Sequence, residues 1–78
     1  MNRSQLESAV CSVLSTIFAC PIDGASTRAD LPAWDSLKHI QCVFALEDEL
    51  SVTFCEEQIA ELDSVTKIVD SIAAYHAS

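Results

Sequence analysis

The stretch Trp34-Asp35-Ser36-Leu37 opens the segment whose reading decides the fold. Asp35 and Ser36 are both good helix N-cap types, and the apolar residues that follow recur at helical rather than strand spacing. Leu37, Ile40, Val43, Phe44, Leu46 and Leu50 form a broad apolar stripe, which predicts a helix over residues 36–50. The opposite face carries Lys38, Gln41, Glu47, Asp48 and Glu49. A serine at such a start presents its hydroxyl at the positive end of a helix. Added negative charge is stabilised there by about 0.3–1 kcal/mol, so the position suits a phosphate group.

Upstream, Leu6, Val10, Val13, Leu14 and Ile17 recur at three- and four-residue spacing, predicting a first helix over residues 4–19. Ser4 and Glu7 have capping-box spacing, and Cys20-Pro21 ends the helix because the residue before proline is pushed out of the helical region. Residues 20–35, with Pro21, Gly24 and Pro32, form a long connection that delivers the chain to Ser36. Its apolar anchors are Ile22, Leu31 and Trp34, Trp34 being alternatively a partner contact. Downstream, Val52 and Phe54 alternate with polar neighbours in a connector over 51–55, and residues 56–61 read as one or two helical turns begun by Glu56 and Glu57. Asp63 or Ser64 then caps a last helix through Tyr75, with Val65, Ile68, Val69 and Ile72 facing inward. The expectation is an all-α, small four-helix bundle, three longer helices plus one short, in a single domain over residues 1–78.

Composition agrees with a small helical core: of 78 residues, half are apolar, with one Gly and two Pro. Twelve acidic residues against four Lys and Arg give a formal charge of −8, which argues against a nucleic-acid binder. Partners with basic surfaces are the natural complement, although an acidic balance also serves solubility alone. Cys11, Cys20, Cys42 and Cys55 show no Cys-x-x-Cys pair or metal-ligand spacing, and His39 and His76 add none; reduced thiols are expected rather than a disulfide or a metal site. His39 lies four residues after Asp35 and is expected to pair with it on the surface, without a catalytic role. Polar residues from Gln5 to Thr16 interrupt the N-terminal apolar run, so an export signal is rejected, no stretch is long enough to span a membrane, and a cytoplasmic location is expected.

From Asp30 to Tyr75 the chain resembles the acyl carrier protein family, and the first helix also has a counterpart there. The resemblance is carried by Asp30-Leu31, by Trp34 to Leu37, by Phe44 to Leu50, and by the run from Leu62 to Ile72. It implies that Ser36 carries a 4′-phosphopantetheine arm, placed there from coenzyme A by a phosphopantetheinyl transferase using Mg²⁺, with Asp35 as its motif neighbour. The chain is then a non-catalytic, monomeric carrier that holds an acyl or aminoacyl group as a thioester for fatty-acid, polyketide-like or other specialised biosynthesis. Its further partners are an acyl- or aminoacyl-loading ligase and downstream biosynthetic enzymes. Leu37, Glu47, Asp48, Glu56 and Glu57 are the implied partner contacts, the acidic ones otherwise being solvated helix faces.

Shelter for the cargo is expected in the seam between the second and third helices. Phe44, Leu46, Phe54, Ile59, Leu62 and Ile68 are its candidates, the alternative being plain core. Two phenylalanines would narrow that seam, which favours short or polar cargo. Lys38 and Gln41 depart from the acidic residues of fatty-acid carriers, and Pro32-Ala33-Trp34 stands where those have Gly-Ala. The Trp-Asp-Ser-Leu form is similar to stand-alone carriers of specialised pathways: polyketide-like, lipid-modifying or aminoacyl. Two other readings remain open. One is an unmodified acidic helical interaction module; the other is a small cysteine-dependent enzyme or metal protein using His39 and a cysteine such as Cys42.

Overall fold

A computed structural model describes the backbone of residues 2–77 and the side chains of residues 2–75. The chain runs α1 (Arg3–Phe18), a single 3₁₀ turn (Arg28–Asp30), α2 (Ser36–Leu50), α3 (Glu56–Glu61) and α4 (Val65–Ala77). The architecture is the expected bundle of three longer helices and one short one, measuring 34 × 25 × 19 Å.

The inward face of α1 is Leu6, Val10, Leu14 and Phe18, four residues apart throughout, with Val13 and Ile17 half-buried beside it. The helix begins one residue before the predicted start, and its cap differs from the expected one. Asn2 accepts the Gln5 N–H at 2.8 Å while the Gln5 side chain takes the Asn2 N–H at 3.0 Å, so Asn2–Gln5 forms the capping box in place of Ser4–Glu7. The helix also stops ahead of Cys20-Pro21, because Ala19 adopts the left-handed conformation (φ 55°).

The long connection is tied down along its length. The Asp23 carboxylate accepts the Ala25 N–H at 2.9 Å, and Thr27 caps the 3₁₀ turn through the Asp30 N–H at 3.3 Å. Thr27 and Ser64 then form an antiparallel bridge: the Arg28 N–H reaches the Asp63 carbonyl at 2.8 Å and the Val65 N–H reaches the Ser26 carbonyl at 3.0 Å. The loop is thereby stitched to the start of α4, whose cap is Ser64 rather than Asp63, its hydroxyl accepting the Lys67 N–H at 3.2 Å.

α1 packs closely along both α2 and α4. Val10, Leu14, Leu46, Val65 and Ile72 are fully buried at the centre of one continuous core, which Trp34, Val52 and Phe54 complete from the connections. Among the described residues, no helix is long and apolar enough to cross a membrane.

The orientation of α2 corrects the sequence reading. Its buried residues are His39, Cys42, Val43 and Leu46, while Leu37, Ile40 and Phe44 point outward. Positions 39, 42, 43 and 46 keep helical spacing and turn into the bundle; the apolar stripe was broader than the face that packs.

Candidate functional site

Asp35 and Ser36 take separate tasks at the start of α2. Asp35 is the N-cap: in extended backbone, its side chain accepts the Lys38 N–H at 2.9 Å and its carbonyl accepts the His39 N–H at 2.9 Å. Ser36 is therefore the first helical residue, exposed, and among the described residues its hydroxyl is spent on no hydrogen bond. The hydroxyl is accessible, and the helix dipole favours negative charge on it.

Three contacts hold this corner rigid. Trp34, 3% exposed, packs against Phe18 with ring centroids 5.5 Å apart and ring planes tilted by 44°, and its carbonyl accepts the Arg28 Nε–H at 3.1 Å. Lys38 reaches across to the Ile17 carbonyl at 3.4 Å, placing a cation at the negative end of α1. The third contact is the imidazole of His39. It is 7% exposed, and its Nδ1 accepts the Trp34 Nε1–H at 3.0 Å. Indole nitrogen only donates, so the neutral ring carries its proton on Nε2 and donates it to the Ile59 carbonyl, 2.6 Å away. One side chain thus joins the loop before Ser36, α2 and the short α3. The expected surface pair of His39 with Asp35 is replaced by this inward bridge, because a residue one turn into α2 on the Leu46 side faces the core. Trp34 takes the anchoring role.

Outside, Leu37 (68% exposed), Ile40 and Phe44 (64%) follow one another along α2 from the serine. Their spacing of three and four residues puts them in one line, which Gln41 and Asp48 extend with polar groups. These exposed apolar groups form one aligned patch rather than scattered surface residues. Glu47 belongs less to that surface: half-buried, its carboxylate accepts the Phe54 N–H at 2.9 Å and secures the connector between α2 and α3. Glu56 and Glu57 are exposed in the first turn of α3.

Of the residues assigned to the seam, Leu46, Phe54, Leu62 and Ile68 are buried in the common core and Ile59 is half-buried against it. Phe44 lies on the outside, on the opposite side of α2 from Leu46, so the narrowing expected from two phenylalanines does not arise. The four cysteines are free. Burial, partly offset by Lys38, pushes the Cys42 thiol up to about 11, and burial with Glu7 and Asp23 nearby raises that of Cys11. Cys42 is thus held protonated near neutrality, and both nitrogens of His39 are occupied, which leaves no activated thiol–imidazole pair there.

Neither a scan against protein-family models nor a search of curated proteins gives a match. Among solved structures, the chain is similar to the solution NMR structure of a holo acyl carrier protein from Geobacter metallireducens. The TM-score is 0.78 at 22% sequence identity, covering 90% of this chain and 84% of that one. The fold is acyl-carrier-like. Within that acyl-carrier-like bundle, the exposed serine, its capping aspartate and the outward apolar line share one end and one face of α2.

Two features escaped the sequence reading. The inward turn of His39 had one signal available, its helical spacing with Cys42, Val43 and Leu46, which the polarity of the ring masked. The outward position of Ile40 and Phe44 had none, since apolar identity alone assigns both to the core.

Proposed function

We propose that the chain is a carrier protein whose Ser36 hydroxyl accepts a 4′-phosphopantetheine arm from coenzyme A. The observation that carries the proposal is the state of Ser36: exposed, first in α2, and relieved of capping by Asp35. Likeness of fold to a holo acyl carrier protein supports it. In the transfer, the Ser36 oxygen forms a phosphoester as the pyrophosphate link of coenzyme A breaks. Adenosine 3′,5′-bisphosphate leaves, and the hydroxyl proton passes to a base of the phosphopantetheinyl transferase. The helix start favours the negative charge so installed. When bound, the arm supplies the thiol for acyl or aminoacyl transfer.

The chain's own residues do the rest. Asp35 holds the backbone of the site, Trp34 and Lys38 fix α2 against the loop and α1, and Leu37, Ile40 and Phe44 with Asp48, Glu56 and Glu57 form the docking face. That face suits enzymes with an apolar contact rimmed by basic residues: the transferase, the acyl- or aminoacyl-loading ligase and downstream biosynthetic enzymes. Docking raises the effective concentration of tethered cargo at each of them. The reading is a single-domain, monomeric, cytoplasmic carrier of a specialised pathway, itself without catalysis.

A fluorescent coenzyme A analogue tests the proposal. With Mg²⁺ and a broad-specificity transferase, the wild-type protein becomes labelled and Ser36→Ala does not. Labelling of neither would favour an unmodified interaction module working through the same exposed line, and equal labelling of both would put the modification on a residue other than Ser36.

A further inference from the structure

His39 sits one helical turn after Ser36, and residues three apart lie on the same side of a helix, one above the other. Its imidazole therefore lies one turn below the serine and bridges α2 to α3. The buried ring has both nitrogens bound, one to Trp34 on the loop and one to the Ile59 carbonyl on α3. Behind it Cys42, Leu46, Leu62 and Ile68 are each 2% exposed or less. α3 is only six residues long, with Ile59 half-buried against the core and Leu62, just after its end, fully buried.

We infer that His39 is a specificity-determining strap: by joining Trp34 to the Ile59 carbonyl it keeps the α2–α3 seam shut, so cargo attached at Ser36 stays outside the bundle. The inference rests on the carrier reading and names its cargo class, short or polar acyl and aminoacyl groups rather than medium or long alkyl chains. An alkyl chain entering the seam would gain by burial, but it would displace the imidazole. That displacement strands the indole N–H in an apolar surround and weakens the hold on α3. A short or polar group has nothing to gain by entering. It remains within reach of docked enzymes, beside the apolar line from Leu37 to Phe44.

The test loads wild type and His39→Ala with acetyl- and octanoyl-phosphopantetheine from the matching coenzyme A thioesters, then compares unfolding temperatures and methyl NMR shifts. In wild type the two loaded forms should melt within about 1 °C of each other, since a ligand that gains no burial adds no stability. Shifts should be confined to Leu37 and Ile40. In His39→Ala the octanoyl form should melt several degrees above the acetyl form and should shift Leu62 and Ile68. Octanoyl-dependent stabilisation with Leu62 and Ile68 shifts already in wild type would overturn the strap, as would a variant that behaves like wild type. Free octanoyl-pantetheine added to the unmodified proteins gives the same methyl comparison without loading. Failure to load therefore counts against the carrier reading, while the free ligand still decides the strap. Should His39→Ala lose cooperative unfolding, Trp34→Phe, which removes only the indole donor and keeps an aromatic ring, replaces it with the same expectation and smaller shifts.

Discussion

Replacing His39 by alanine removes three things at once. The Trp34 Nε1–H, on a side chain 3% exposed, loses its acceptor, and an orphaned buried donor costs about 1–3 kcal/mol. The Ile59 carbonyl loses the 2.6 Å bond but still accepts the Leu62 N–H at 3.3 Å, so this loss falls nearer 0.5–1 kcal/mol. Truncating a ring that is 7% exposed adds roughly 1 kcal/mol of lost packing. Together the substitution should cost about 3 kcal/mol, against a total stability of roughly 4–12 kcal/mol for a chain of this size. The unfolding midpoint should fall by about 12–24 °C. Urea and thermal unfolding followed by far-ultraviolet circular dichroism measure this directly, and a cycle with Trp34→Phe isolates the pair. The two substitutions should couple by about 1–2 kcal/mol, because each alone strands the other's nitrogen. A loss under about 1 kcal/mol for His39→Ala, or strict additivity with Trp34→Phe, would refute an imidazole bonded on both sides.

Asp35→Ala should destabilise by about 0.5–2 kcal/mol through loss of the α2 cap while Asp35→Asn recovers most of it, as read by urea titration. Glu47→Ala should cost about 1 kcal/mol by freeing the Phe54 N–H, and Glu47→Gln, which keeps an acceptor, should cost less; hydrogen exchange at Phe54 should accelerate in the alanine variant alone. The Cys42 thiol, raised from 9.0 to about 11, ties stability to alkaline pH. The folded state holds its proton more tightly than the unfolded state. The contribution is therefore complete below pH 9 and is lost as pH rises to about 11, by on the order of 2–3 kcal/mol. Cys42→Ala should flatten that alkaline decline in a chemical-denaturation series, and an unchanged slope would assign it to other groups.

The bounds of α2 and α3 were legible because each begins with a clear polar-to-periodic change: Asp35 before α2, and Glu56-Glu57 opening α3. The apolar period of α1 located its buried face, whereas its cap was misplaced by two residues because Asn2 and Ser4 are both competent caps. Asn2 won by having Gln5 in position to answer it. The start of α2 was legible at Asp35 and Ser36, whereas the side chain one turn later was misread. A histidine is sent to the surface when only its neighbours in sequence are considered. Here the Ile59 carbonyl, twenty residues on, satisfies its second nitrogen and makes an inward position stable. The outward Leu37, Ile40 and Phe44 follow from the same fact, since turning His39 inward rotates them away from the core. The stitching of the long loop to α4 through Thr27 and Ser64 joins residues far apart in sequence, a pairing local pattern does not encode.

The most direct test of the account is the intact mass of the wild-type protein and of Ser36→Ala after incubation with coenzyme A, Mg²⁺ and several phosphopantetheinyl transferases. Wild type should gain one phosphopantetheine, recovered on the peptide that contains Ser36, and the variant should gain none. An unmodified wild type with every transferase, or an added group on any other residue, would contradict it.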